Sequence, residues 1–290
     1  MTPAYPLYTS EVYKVGEKGE RSIVKKIILY VILTFLLSTA GYYALIHSKT
    51  LGFSPVFLMF YLMWCPAMSA IMVSILPPKD FSGLGFKLCK AHWLGLGYFL
   101  PVVYAGLAYG IIWVFGFGGI NPDYPFHPFK LFLFGTFFHV AFAAGEEIGW
   151  RGFLVPQLYK RMSFTATCLV TGLIWSVWHF PLILSGIYLA KMPVLPQLVL
   201  LVVTVTAMTF PISWLRLRSQ SVWPAILLHA SHNLYIQWLF DPLTTETSVF
   251  SKYMIGESGI VMAVIFAVMA WIFASMGRPL PKETGDHRLN

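Results

Sequence analysis

The chain has 290 residues, of which 57% are hydrophobic and only 11% charged, and its mean hydropathy is +0.69. So little charge excludes an ordinary water-soluble globule and implies an all-α, polytopic transmembrane helix bundle. The net charge of +8 suits nucleic acid if taken alone, but the excess gathers at the ends of apolar segments, where membrane topology accounts for it, so no nucleic-acid partner is expected.

In chain order, residues 1–26 form a polar head expected in the cytoplasm. The first apolar run, Ile27 to Ile46, is long enough to span, and no small-residue cleavage pattern follows it, so it is expected to stay as an anchor rather than be removed as a signal. Further spans are predicted at 53–76, 92–115, 129–158, 164–185, 195–215, 222–240 and 258–276. That makes about eight in a single transmembrane domain over 27–276, with a motif-bearing core at 129–240 and a cytoplasmic tail at 277–290. At about 1.5 Å per residue the fourth run reaches about 45 Å against a hydrocarbon core of about 30 Å. It is therefore predicted to tilt, or to break near Gly145, Gly149 or Gly152. The Pro/Gly-rich stretch at 116–129 reads as an outer connecting loop.

Basic residues orient the bundle. With the N-terminus inside, the inner segments hold Lys14, Lys18, Arg21, Lys25, Lys26, Lys79, Lys87, Lys90, Lys160, Arg161, Arg216, Arg218, Arg278, Lys282 and Arg288. The outer ones hold Lys49, Lys130, Lys191 and Lys252. This bias predicts both termini in the cytoplasm and a multi-pass protein of the cell membrane. Cys65, Cys89 and Cys168 are widely separated and form no CxxC pair, so neither a disulfide framework nor a thiolate metal site is expected.

Within this apolar background the polar residues stand out. Glu146, Glu147 and Arg151 lie in AGEEIGWRGF, where an ionised group costs about 2.5 to 3.5 kcal/mol on insertion scales and is rarely kept without a partner or a chemical task. Glu147 and Arg151 are four apart, acid first, the favourable order for an ion pair on one helix face. Glu146 points about 100° away and has Trp150 at i+4, so it needs a partner from another helix. His179 ends the aromatic run WSVWHF before Pro181, which is expected to bend or stop its helix. His229 and Asn233 are four apart and share one face, which His232 flanks. Counted from the predicted cytoplasmic helix ends, Glu146, His179, His229 and Asn233 lie roughly 20, 24, 10 and 16 Å deep, so they can meet in the membrane interior. His139, two turns before Glu146, reads as a structural hydrogen bonder.

An acid, two imidazoles and a carboxamide are the parts of a water-activating hydrolytic centre. The ordered set of EExxxR at Glu146, Glu147 and Arg151, a motif ending at His179, and HxxxN at His229 and Asn233 resembles the CPBP family. This is the family of type II CAAX prenyl endopeptidases and bacteriocin-processing, abortive-infection proteins. Trp175 stands where the family's second motif usually has Phe. The resemblance implies an eight-helix intramembrane endopeptidase acting on membrane-anchored, CAAX-like or other peptide substrates. In it Glu146 is the general base for a water that His179 helps to hold, His229 and Asn233 donate to the oxyanion, and Glu147 and Arg151 support them.

Three other readings stand beside this one. Glu146, His179 and His229 also make the three-ligand set of an open zinc site. The metal-free reading, with no cofactor, is preferred because no HExxH pair is present and Asn233 is a better oxyanion donor than zinc ligand. A non-catalytic immunity or scaffold protein would keep the same residues as interhelical glue. A transporter would use them to relay protons, although no repeated pair of broken helices marks matching halves.

Overall fold

A computed structural model describes residues 17–188 and 192–276. The residues before Glu17, Lys191 and the tail at 277–290 lie outside it, so Lys14, Arg278, Lys282 and Arg288 do too, as does the side chain of Lys18.

In hydrocarbon each backbone N–H and C=O must be paired within its own segment, so the apolar runs coil into helices. Among the described residues six helices are long and apolar enough to cross a membrane. They are α1 (Glu17–Ile46), α2 (Pro55–Ile75), α3 (Ala91–Val114), α4 (Lys130–Tyr159), α5 (Phe164–Leu184) and α6 (Val194–Ser219). Two shorter ones follow, α7 over 223–240 and α8 (Ile260–Ser275). The chain is thus an all-α membrane-protein bundle, and each predicted span coincides with a helix, though α7 and α8 fall short of the length of the other six. α5 carries through Pro181 to Leu184, so the proline does not stop it.

The helices pack in a chain of neighbours: α1 on α2, α2 on α4, α4 on α7, α7 on α3, α5 on α6 and α6 on α8. α4 does not break at its glycines. It runs unbroken for 30 residues and is wound as π-helix over Ile148–Leu154, directly after the two acids. Such wide turns are frequent at functional sites. The glycines serve close packing instead. A Cβ on Gly149 would sit 2.4 Å from Pro66 Cβ and 2.6 Å from the Pro66 carbonyl carbon of α2. Gly149→Ala is therefore expected to push α2 from α4 and to cost about 1 to 3 kcal/mol, the usual range for overpacking. Thermal unfolding of the purified variant in detergent measures this, and an unchanged midpoint would contradict it.

The two ends of the bundle differ. At one, Lys26 Nζ donates to Leu76 O (3.0 Å) and Pro78 O (2.6 Å), Arg161 Nη1 to Glu20 O (3.4 Å) and Arg216 Nη2 to Gly83 O (2.6 Å). These bonds tie the start of α1, the α2–α3 loop, the α4–α5 turn and the end of α6 into one basic face. At the other end a two-residue ribbon pairs β1 (Gly119–Ile120) with β2 (Thr244–Thr245). Tyr124 Oη there donates to Trp238 O at 2.6 Å, so the 116–129 loop is pinned to the end of α7.

Candidate active site

The π-turn of α4 sets Glu147 and Arg151 in the fully buried interior. Arg151 Nη1 donates to Glu147 Oε1 at 2.8 Å, the pair expected from their spacing. The same oxygen lies 2.9 Å from His229 Nδ1. A carboxylate only accepts, so Nδ1 carries the proton of that bond. Glu147 therefore does more than neutralise Arg151: it fixes the ring of His229 from across the α4–α7 interface. The Arg151 guanidinium lies 4.0 Å from the centroid of the Trp175 ring, and its Nη2 is 3.4 Å from Thr209 Oγ1, which links α4 to α5 and α6.

Glu146 finds the partner from another helix that its position requires. Trp175 Nε1 donates to its Oε2 at 2.7 Å. The Trp at 175 thus adds a hydrogen bond that a Phe there, with no N–H, could not offer. One turn on, His179 Nδ1 is 2.8 Å from Trp175 O. A carbonyl can only accept, so His179 is protonated at Nδ1, and in the neutral ring Nε2 keeps its lone pair.

Glu146, His179, His229 and Asn233 all line one cavity of about 390 Å³. Met59, Met63, Phe138, Phe142 and Leu182 supply much of its apolar wall. The four residues selected from the sequence are thus brought together, with Glu147 and Arg151 immediately behind them. His139 also lines this cavity. It was expected to be a structural hydrogen bonder, but its buried Nε2 has no hydrogen-bond partner among the described residues; a position two turns from Glu146 on the same face points at the cavity rather than at a neighbouring backbone.

A second polar cluster adjoins the first. His232 Nδ1 lies 2.8 Å from Tyr104 Oη, and its Nε2 is 3.6 Å from Glu257 Oε2. Glu257 also accepts from Tyr188 Oη and from Gln237 Nε2. The Tyr188 ring stacks on His179 with centroids 5.9 Å apart. Sequence reasoning missed Glu257 and Tyr188; the one available signal was a lone acid in GESG just before the last apolar run.

The zinc alternative requires Glu146, His179 and His229 to converge. Among the described residues no three His, Cys, Asp or Glu side chains are grouped as a metal ion requires. The three side chains line one cavity without being gathered at a single point, and the roles below are written for these residues alone.

Residues 128–235 match the family model described as Type II CAAX prenyl endopeptidase Rce1-like. The chain is also 28% identical over 162 residues to CAAX prenyl protease 2 of Methanococcus maripaludis, an alignment covering 53% of this chain and 53% of that protein. The chain thus spans about half the length of the curated relative it matches. The segment holding Glu146, His179, His229 and Asn233 is the one similar to the Rce1-like model, and both comparisons agree with the resemblance carried by the motifs.

Proposed function

We propose that the chain is an intramembrane endopeptidase that hydrolyses a peptide bond of a membrane-associated or CAAX-like substrate with a water activated by Glu146. The observation that carries this reading is the shared cavity: an acid, two imidazoles and a carboxamide from α4, α5 and α7 face one space large enough for a peptide segment. A scaffold that used these residues as glue has no need of that space.

The roles follow from the hydrogen bonds. Trp175 holds one oxygen of Glu146, and the other takes a proton from the attacking water. His179, with Nδ1 engaged by a carbonyl, accepts the second water hydrogen at Nε2 and orients the attack. Water oxygen bonds to the carbonyl carbon, and the resulting oxyanion receives hydrogen bonds from the Asn233 amide and from His229. Because His229 Nδ1–H is held by Glu147, an Nε2–H for the oxyanion requires the imidazolium form, in which both ring nitrogens donate. On collapse the C–N bond breaks and Glu146 returns its proton to the leaving amine.

The test is hydrolysis by the purified protein in detergent. Quenched fluorogenic peptides, unmodified and farnesylated at a C-terminal CAAX cysteine, are offered, and products are mapped by mass. Cleavage that survives chelation is expected. Activity lost together with stoichiometric zinc would overturn the metal-free mechanism, and a protein that cleaves none of these peptides would contradict the proposal.

Trp175→Phe provides a finer check. It keeps an aromatic ring but removes a hydrogen bond to a charged group, an interaction of about 1.5 to 3 kcal/mol. We expect kcat to fall at least about tenfold with little change in KM, because the indole N–H positions the base and not the substrate. An unchanged kcat would show that this bond does not matter to the reaction.

A further inference from the structure

Building on the endopeptidase reading, we infer that the cavity receives its substrate from the non-cytoplasmic side of the membrane. The substrate class is then an apolar, membrane-anchored segment of an exported peptide or membrane protein lying in the outer leaflet. Two independent features carry it: which end of the bundle is basic, and toward which end the cavity extends.

Among the described residues the basic end carries Arg21, Lys25 and Lys26 on α1, Lys79, Lys87 and Lys90 in the α2–α3 loop, Lys160 and Arg161 in the α4–α5 turn, and Arg216 and Arg218 at the end of α6. The hydrogen bonds from Lys26, Arg161 and Arg216 to neighbouring backbone show that these segments share one face of the fold. The opposite end holds only Lys49, Lys130 and Lys252 among the described basic residues. Such a bias sets the basic end in the cytoplasm.

The cavity runs from His229, about 10 Å from the basic end of α7, out through the opposite half. On α4 it is lined by Phe138, His139, Phe142, Ala143 and Glu146, and by nothing nearer the basic end. On α2 it runs from Met63 out to Val56 and Pro55 at the first residues of the helix. At about 1.5 Å per residue, Glu146 lies about 20 Å from the basic end of α4, while Val56 lies about 28 Å from that of α2, at the far limit of a core about 30 Å thick. At this outer end the lining is apolar, with Val56 55% and Phe138 38% exposed, and there we place the entrance, facing hydrocarbon of the outer leaflet. A chain inserted in that leaflet reaches Glu146 directly. A prenylated tail confined to the cytoplasm would meet the basic face instead, where no residue nearer than His229 lines the cavity.

Thiol labelling decides the matter. Ser54 is exposed beside the mouth, and the native Cys89 is partly exposed between Lys87 and Lys90, while Cys65 and Cys168 are buried. Wild-type protein and the Ser54→Cys, Cys89→Ser variant are treated with a membrane-impermeant maleimide in right-side-out and inside-out vesicles. We expect the variant to label in right-side-out vesicles and the wild type only in inside-out ones. The reverse pattern, labelling of both from one side, or no labelling of the variant from either side overturns the inference. Turnover in detergent, where both faces are accessible, tests the endopeptidase reading separately. A protein that cleaves there but shows the reversed labelling refutes the sidedness alone.

Discussion

Glu146→Gln is expected to lower turnover by about 100- to 10,000-fold, the usual contribution of a positioned general base, while leaving the fold intact. Glutamine has nearly the same volume, and its carbonyl oxygen can accept the Trp175 indole N–H that now reaches Oε2 at 2.7 Å. What it cannot do is take a proton from water. The variant should insert, purify and melt like the wild type, so that lost activity is traceable to chemistry. Parallel measurement of kcat and of the unfolding midpoint checks this, and full activity would end the proposal that Glu146 is the base.

Glu147→Ala should act in the opposite way, through stability first. Arg151 is 0% exposed and depends on Glu147 for its charge partner, and the same carboxylate oxygen holds His229 Nδ1. Removing one member of a buried pair leaves the other charge uncompensated and costs about 3 to 5 kcal/mol, so the midpoint should drop sharply and activity with it. The double variant Glu147→Ala, Arg151→Met removes the orphaned charge too. It should regain part of the lost stability but not the activity, because His229 still lacks its orienting acceptor. Equal recovery of both would show that Glu147 serves Arg151 alone.

Much of this arrangement was legible before any coordinates. Composition placed the chain in the membrane, and the i, i+4 spacing of Glu147 and Arg151 announced their ion pair. The need of Glu146 for a partner on another helix was also readable, since its own face offered only Trp150. The partner's identity was not: which residue of α5 meets Glu146 depends on how two helices register, and no local spacing encodes that. From the sequence Trp175 is only a Trp standing where Phe is usual, although its N–H is what reaches the acid. Glu257 was invisible for the same reason, because its contacts with His232, Tyr188 and Gln237 bring together the loop after α5, α7 and the segment before α8. The glycines of α4 read as a possible break, since glycine weakens a helix; in the fold Gly145 and Gly149 let α2 approach and Gly152 lets in Leu84 of the α2–α3 loop, and packing overrides propensity.

The account rests on a water attacking a peptide bond under the control of Glu146. The most direct test compares the termini of membrane and exported proteins in cells carrying the wild-type chain with those carrying Glu146→Gln at equal abundance. The account predicts a defined set of new termini that vanish in the variant. Termini that persist when Glu146 is replaced would contradict it.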